Sequence, residues 1–240
     1  MPVPAAVLLD VGGVFLLPDH ERILGAFGSS AHTAPAEILD DAHYHGAARL
    51  TVALDAERDW AGCWRQYLEG YVDACTVPDD MRDDVHARLD REFADAALWF
   101  REAPGARDGL RALAETGVRL GIVSNADGRI GERLLTREIL QVGPGVGVEV
   151  EVLIDSGAVG VLKPDPRIFR LALDAMGIDD PATAWYVGDT PGIDVVGARR
   201  AGLRPFVVDP LGLHHDAGYD RVTSLGELAT LIRAEVDRPT

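Results

Sequence analysis

The sequence predicts an α/β protein built on a doubly wound, mostly parallel, five-stranded sheet of Rossmann-like type, with an α-helical block inserted into it. Three observations predict this. Five short apolar runs, at 5–9, 119–123, 148–154, 184–187 and 205–208, have the length and composition of buried strands. Helical patterns separate the later runs, and strands alternating with helices imply right-handed crossovers and a mostly parallel sheet. Between the first run and the second, residues 17–99 hold no convincing strand and several amphipathic stretches instead.

Taken in order, the run 5–9 ends at Asp10. The block that follows carries Trp60, Cys63, Trp64, Tyr67, Leu68 and Tyr71 at helical spacing, and then Met81, Val85, Leu89 and Phe93. Such an aromatic stripe is expected to be helix-bundle core. A helix over 105–115 is closed by Gly117, and the second strand follows. Residues 143–147, Gly-Pro-Gly-Val-Gly, read as a flexible surface connection into the third. Asp165-Pro166 opens a helix with Pro at its first position, and Gly177 stops it. Thr190-Pro191 opens another, which Gly202 ends before the fifth strand. The expected organisation is a core of residues 1–16 and 100–240 with a helical cap over 17–99.

A net charge of −16 argues against nucleic acid, whose phosphates need clustered Lys and Arg, and against anionic membrane surfaces. No run reaches the ~18 apolar residues of a membrane span, and no basic-then-apolar leader is visible. Cys63 and Cys75 lack metal spacing and read as reduced thiols, so the expected setting is cytoplasmic. Oligomeric state is left open.

Lys163 is the only lysine; every other basic side chain in the count of 23 Lys and Arg is arginine. A compact ammonium against a phosphate or carboxylate is the lysine role that Arg replaces least well. In open parallel sheets, ligands bind beyond the carboxyl ends of the strands, where the strand order reverses. Asp10 follows the first strand, Ser124 the second and Asp189 the fourth, and Lys163 precedes a helix after the third. These positions are expected to converge on one crevice.

The segments Val7-Leu8-Leu9-Asp10-Val11-Gly12-Gly13-Val14, Val123-Ser124-Asn125, Lys163-Pro164-Asp165-Pro166 and Val187-Gly188-Asp189 with Asp194 resemble, in order, the motifs of the haloacid dehalogenase superfamily of hydrolases. The resemblance spans residues 5 to about 210 and includes a helical cap after the first strand. It implies that Asp10 is a nucleophile forming an aspartyl-phosphate. It implies Mg²⁺ held by Asp10, the Gly12 backbone carbonyl and Asp189, with Asp194 acting through a bound water. Ser124 and Asn125 would bind the phosphoryl group of a small phosphorylated metabolite, and Lys163 would neutralise charge on Asp10 and phosphate together.

The chain departs from the family at Gly12, where its phosphatases usually carry a second Asp as general acid and base. Losing such a group removes a factor of about 10² to 10⁴. Three outcomes stand: a phosphatase for esters with good leaving groups, or one that recruits an acid from Asp19, His20 or Glu21; a 2-haloacid-type dehalogenase; or a non-catalytic member that binds a phosphorylated ligand or a protein. The dehalogenase branch needs no metal, and the Asp189/Asp194 pair argues for one. Arg49, in a stretch read as an inter-helix turn, is a candidate for substrate binding. His43 and His45, two apart on a helix, make a poor metal pair, and His214 and His215 are assigned no role.

Overall fold

A computed structural model describes residues 3–28, 35–56, 59–214 and 218–236; His215 lies outside them. The strands are β1 (Ala6–Leu9), β2 (Leu16–Pro18), β3 (Trp99–Glu102), β4 (Arg119–Ser124), β5 (Leu140–Val142), β6 (Val148–Val150), β7 (Val152–Asp155), β8 (Ala184–Gly188), β9 (Arg204–Val208) and β10 (Asp220–Val222). The helices are α1 (His20–Phe27), α2 (Ala36–Asp55), α3 (Trp60–Ala74), α4 (Arg82–Phe93), α5 (Ala106–Ala114), α6 (Ile130–Thr136), α7 (Ser156–Val159), α8 (Pro166–Ala175), α9 (Asp194–Ala201) and α10 (Leu225–Val236).

The central sheet has the order β10-β9-β8-β1-β4-β7, and its neighbouring strands pair in parallel. From β1 the chain winds outward through β4 and β7, then crosses back to β8, β9 and β10. The switch point is therefore the carboxyl end of β1, between β4 and β8. Alternation along β1 shows why both faces are covered. Val7 and Leu9 join a cluster with Leu110, Leu113, Leu228 and Ile232 from α5 and α10, while Ala6 and Leu8 join Phe169, Leu173 and Ala198 from α8 and α9.

Two differences from the sequence reading stand out. The central sheet has a sixth strand, β10, whose three residues place only Val222 in the core and give no run to read. The run 148–154 is also divided at Glu151: β6 pairs with β5, and β7 joins the central sheet. Glu151 faces outward to Arg119, so an ion pair interrupts the apolar run.

Helices α1–α4 build a separate apolar cluster that includes Ile23, Phe27, Tyr71, Val85 and Leu89. Both passages between this block and the sheet run side by side, because β2 pairs antiparallel with β3. The stripe on α3 divides: Cys63, Tyr67, Leu68 and Tyr71 are buried, whereas Trp60 is 59% exposed. Among the described residues no helix is long and apolar enough to cross a membrane.

Candidate active site

Asp10 leaves the end of β1, where its backbone N–H donates to the Val187 carbonyl of β8 at 2.8 Å. One carboxylate oxygen accepts from the Val11 N–H at 2.8 Å, and the other lies 2.6 Å from Lys163 Nζ. Lys163, 2% exposed, also donates to Asp194 Oδ1 and to the Tyr186 hydroxyl, each at 2.8 Å. Asp194, the first residue of α9, accepts on its second oxygen from the backbone N–H groups of Asp189 (3.1 Å) and Thr190 (2.9 Å). It thereby shapes the loop that presents Asp189 after β8.

Carboxylate oxygens of Asp10, Asp189 and Asp194, all buried, lie within 4.8 Å of one another. Three carboxylates thus face one ammonium, which leaves two negative charges uncompensated when all three are ionised. Burial, together with Asp194 and Asp189, pushes the Asp10 carboxyl up to about 6 against the pull of Lys163. Burial draws Lys163 down, but Asp10 and Asp194 outweigh it and hold the ammonium above its ordinary value. Excess negative charge and an all-oxygen donor set are what a hard divalent cation such as Mg²⁺ requires, so these residues fit one.

Ser124, at the buried end of β4, lines the same cavity as Asp10, Gly12, Lys163 and Asp189; its volume is about 740 Å³. Asn125 lines it too, but its carboxamide is engaged at both ends. It accepts from the Lys163 N–H at 2.8 Å and donates to the Lys163 carbonyl at 3.1 Å. The Asn125 side chain thus holds the Lys163 backbone beside the end of β4.

Arg49 is a correction. It sits within α2, 45% exposed in its side chain, ion-paired to Asp73 of α3 and away from the cavity. The preceding Gly46 marks no turn: a Cβ there would lie 2.8 Å from the Tyr67 ring. Glycine lets α2 and α3 cross closely. The proposed substitute acids are also engaged elsewhere. Asp19 caps α1 by accepting from the Arg22 N–H, His20 bonds Asp40 at 2.8 Å, and Glu21 is exposed; none lines the cavity.

His43 is the residue that sequence reasoning missed. It and His45 do face opposite ways on α2, one buried and one exposed. Its Nε2 nevertheless lies 2.9 Å from Asp189 Oδ2 and its Nδ1 3.0 Å from the Tyr67 hydroxyl. Tyr44 donates to the Gly13 carbonyl at 3.0 Å, and the Gly192 N–H donates to Thr51 at 3.2 Å, so α2 sits directly on the loops that follow β1 and β8. Gly13 makes this approach feasible. It has φ +67°, and a Cβ there would fall 2.3 Å from the Asp189 carboxyl carbon and 2.6 Å from His43. At Gly12 a Cβ would point at the Trp99 indole, 3.2 Å away, so Trp99 stands where a second acidic side chain would project.

Fold and site together define a class: doubly wound α/β enzymes with a lysine-paired carboxylate at the switch point, under a helical cover. Residues 4–202 match the family model of the haloacid dehalogenase-like hydrolases, and the chain belongs to that family. It is 34% identical over 218 residues to the phosphoserine phosphatase of Thermus thermophilus, covering 87% of this chain and 83% of the relative. It is 35% identical over 229 residues to the phosphoglycolate phosphatase of Rhodospirillum rubrum, covering 95% and 86%. Among solved structures, a hydrolase of the same superfamily from Ehrlichia chaffeensis superposes with a TM-score of 0.60 over 99% of this chain and 100% of that one. At 16% identity that likeness is one of fold. The protein is thus a phosphatase-like hydrolase of this family.

Proposed function

We propose that the protein hydrolyses small phosphate monoesters through an aspartyl-phosphate on Asp10, with Mg²⁺ as cofactor and residues 17–99 as the lid. The observation that carries this reading is the single buried lysine bridging Asp10 and Asp194 on the floor of the cavity. The phosphatases among its relatives support the choice of phosphate. Two buried thiols, Cys63 and Cys75, support a reducing, cytoplasmic setting.

The Asp10 oxygen bonds to phosphorus as the ester P–O bond breaks, and the electron pair leaves on the alcohol oxygen. Lys163 offsets the charge that gathers between carboxylate and phosphoryl group, and the Ser124 hydroxyl donates to a phosphoryl oxygen. The alcohol oxygen takes a proton from solvent; water then attacks phosphorus, the Asp10 oxygen leaves as the carboxylate, and of the water's two protons one stays on the released phosphate and one returns to solvent. Asp10, Asp189 and the Gly12 carbonyl would hold Mg²⁺, with Asp194 reaching it through water; the ion supplies charge neutralisation for the anionic substrate. His43 fixes Asp189 and joins lid to site. Displacement of a halide needs no cation and leaves the excess charge of the three carboxylates unexplained.

The test is turnover of acetyl phosphate and p-nitrophenyl phosphate with Mg²⁺ and with EDTA, beside Asp10→Asn. Metal-dependent turnover that falls at least about 10³-fold in the folded variant is expected. Turnover surviving in Asp10→Asn would sink the covalent route.

A further inference from the structure

The cavity has two halves of different chemistry. Its floor is the charged cluster at Asp10. Its walls, from the helical block and its junction with the sheet, are aromatic: Trp60, Trp64, Tyr67, Phe93 and Trp99, with Leu162 across the mouth. On α3 the rings at 60, 64 and 67 lie near-parallel, with planes 16° and then 8° apart and centroids 6.5 Å and 4.7 Å apart. Two polar atoms on this wall are engaged within the protein. The Trp64 indole N–H donates to Asp90 at 2.8 Å, and the Tyr67 hydroxyl bonds His43. These two residues therefore bring no unpaired polar atom to the wall; their rings stack on one another, and Trp60, stacked on Trp64 and 59% exposed, carries the open aromatic surface. At the mouth, Trp60 and Leu162 are 59% and 60% exposed, large apolar surface next to a reactive carboxylate.

Charge points the same way. Of the arginines and lysines lining the cavity among the described residues, Lys163 is held by Asp10 and Asp194, and Arg133 is ion-paired with Asp127. An ester whose alcohol part carries its own carboxylate, as phosphoserine and phosphoglycolate do, would find only Arg133 to receive that charge, in competition with Asp127, and desolvating it is costly. A sugar would set hydroxyls against the rings, which satisfy fewer of them than water does.

The third observation is independent of the walls. Gly12 supplies no acid to protonate the departing oxygen, and Trp99 occupies the space where one would stand. An alcohol that leaves as a stable anion needs little protonation. Phenols ionise near about 10, as tyrosine does, and aliphatic alcohols far less readily.

We propose that the enzyme is specific for phosphate monoesters of aromatic alcohols, phenols above all, whose ring packs against the Trp60–Trp64–Tyr67 wall while Asp10 takes the phosphoryl group. This deepens, and rests on, the phosphatase reading. The phosphoryl group passes to Asp10 and the P–O bond electrons leave on the aryl oxygen, which takes its proton from solvent.

The experiment compares kcat/KM for phenyl and 1-naphthyl phosphate with that for phosphoserine, phosphoglycolate, glucose 1-phosphate and acetyl phosphate, in wild type and in Trp60→Ala and Trp64→Ala. The aryl esters are expected to exceed the first three by at least about tenfold. The ratio of 1-naphthyl to acetyl phosphate is expected to fall about tenfold in Trp60→Ala, because contact with an aromatic face is lost. Trp60 is exposed, so its removal leaves the helical core intact. Preference for a carboxylate-bearing or sugar ester, or a ratio unmoved in both variants, overturns the aryl specificity while the phosphatase stands. No turnover of any ester, acetyl phosphate included, overturns the phosphatase reading and this inference with it.

Discussion

Asp10 is buried beside two other carboxylates and one ammonium, and its proton affinity follows from that company. Folding lifts it from an ordinary 3.8 to about 6. The native state therefore holds this proton more tightly than the unfolded chain does. The carboxyl's contribution to stability is fully present below pH about 4 and is lost as pH rises through 6, by about 3 kcal/mol. Asn at this position does not titrate. Without metal, wild type should thus lose about 2 kcal/mol relative to Asp10→Asn between pH 4 and pH 7 in urea unfolding. Parallel pH profiles would mean that Asp10 keeps its ordinary proton affinity. Lys163 belongs to the same cluster, with three bonds to it from one nitrogen, which is why an arginine-rich chain keeps this one lysine.

Helix α2 seats the helical block on the site, and its position depends on two glycines. At Gly70 a Cβ would stand 2.7 Å from the His45 carbonyl oxygen and 2.9 Å from the Gly46 Cα, with rigid backbone facing it. Neither helix can yield by turning a side chain, so Gly70→Ala must push α2 and α3 apart. Overpacking of this kind costs about 1–3 kcal/mol, measurable as a lowered urea midpoint at unchanged slope. The same shift would draw His43, one turn before Gly46, away from Asp189. A variant as stable as wild type would show that the crossing has slack. At the other edge of α2, Arg101 of β3 grips Asp40 with two bonds, of 2.8 and 2.7 Å, and His20 adds a third. Burial pulls Asp40 up, but these partners outweigh it and hold it below the ordinary carboxylate value, so the joint is strongest above pH about 4.

The whole molecule carries a net charge of −16 and is proposed to act on an anion. Lys163 and a bound cation act locally, while the global field opposes approach of a phosphate ester. Salt shortens the reach of that field to about 8 Å at physiological ionic strength. Raising ionic strength from about 0.01 M to 0.15 M with a weakly coordinating electrolyte should therefore raise kcat/KM about two- to threefold. A fall would mean that the cavity mouth attracts anions in spite of the net charge. The helical block bears on this balance, because its aromatic wall brings no charge to the cavity.

By itself the sequence determined the alternation of strands and helices, the inserted helical block and the identity of the polar residues at the strand ends. These are local matters: period-two and helical spacing, and a carboxylate, hydroxyl or ammonium following an apolar run, are written in near neighbours. Asp10, Ser124, Lys163, Asp189 and Asp194 were legible for that reason. Tertiary structure alone decided the rest. His43 meets a carboxylate 146 positions away, Asn125 clamps a backbone 38 positions away, and Trp99 occupies the space beside Gly12. Arg49 was misplaced because a glycine for close helix packing and a glycine for a turn look the same in one dimension. How a helix seats on a distant loop depends on the fit of two surfaces, and no residue's neighbours in the chain encode it.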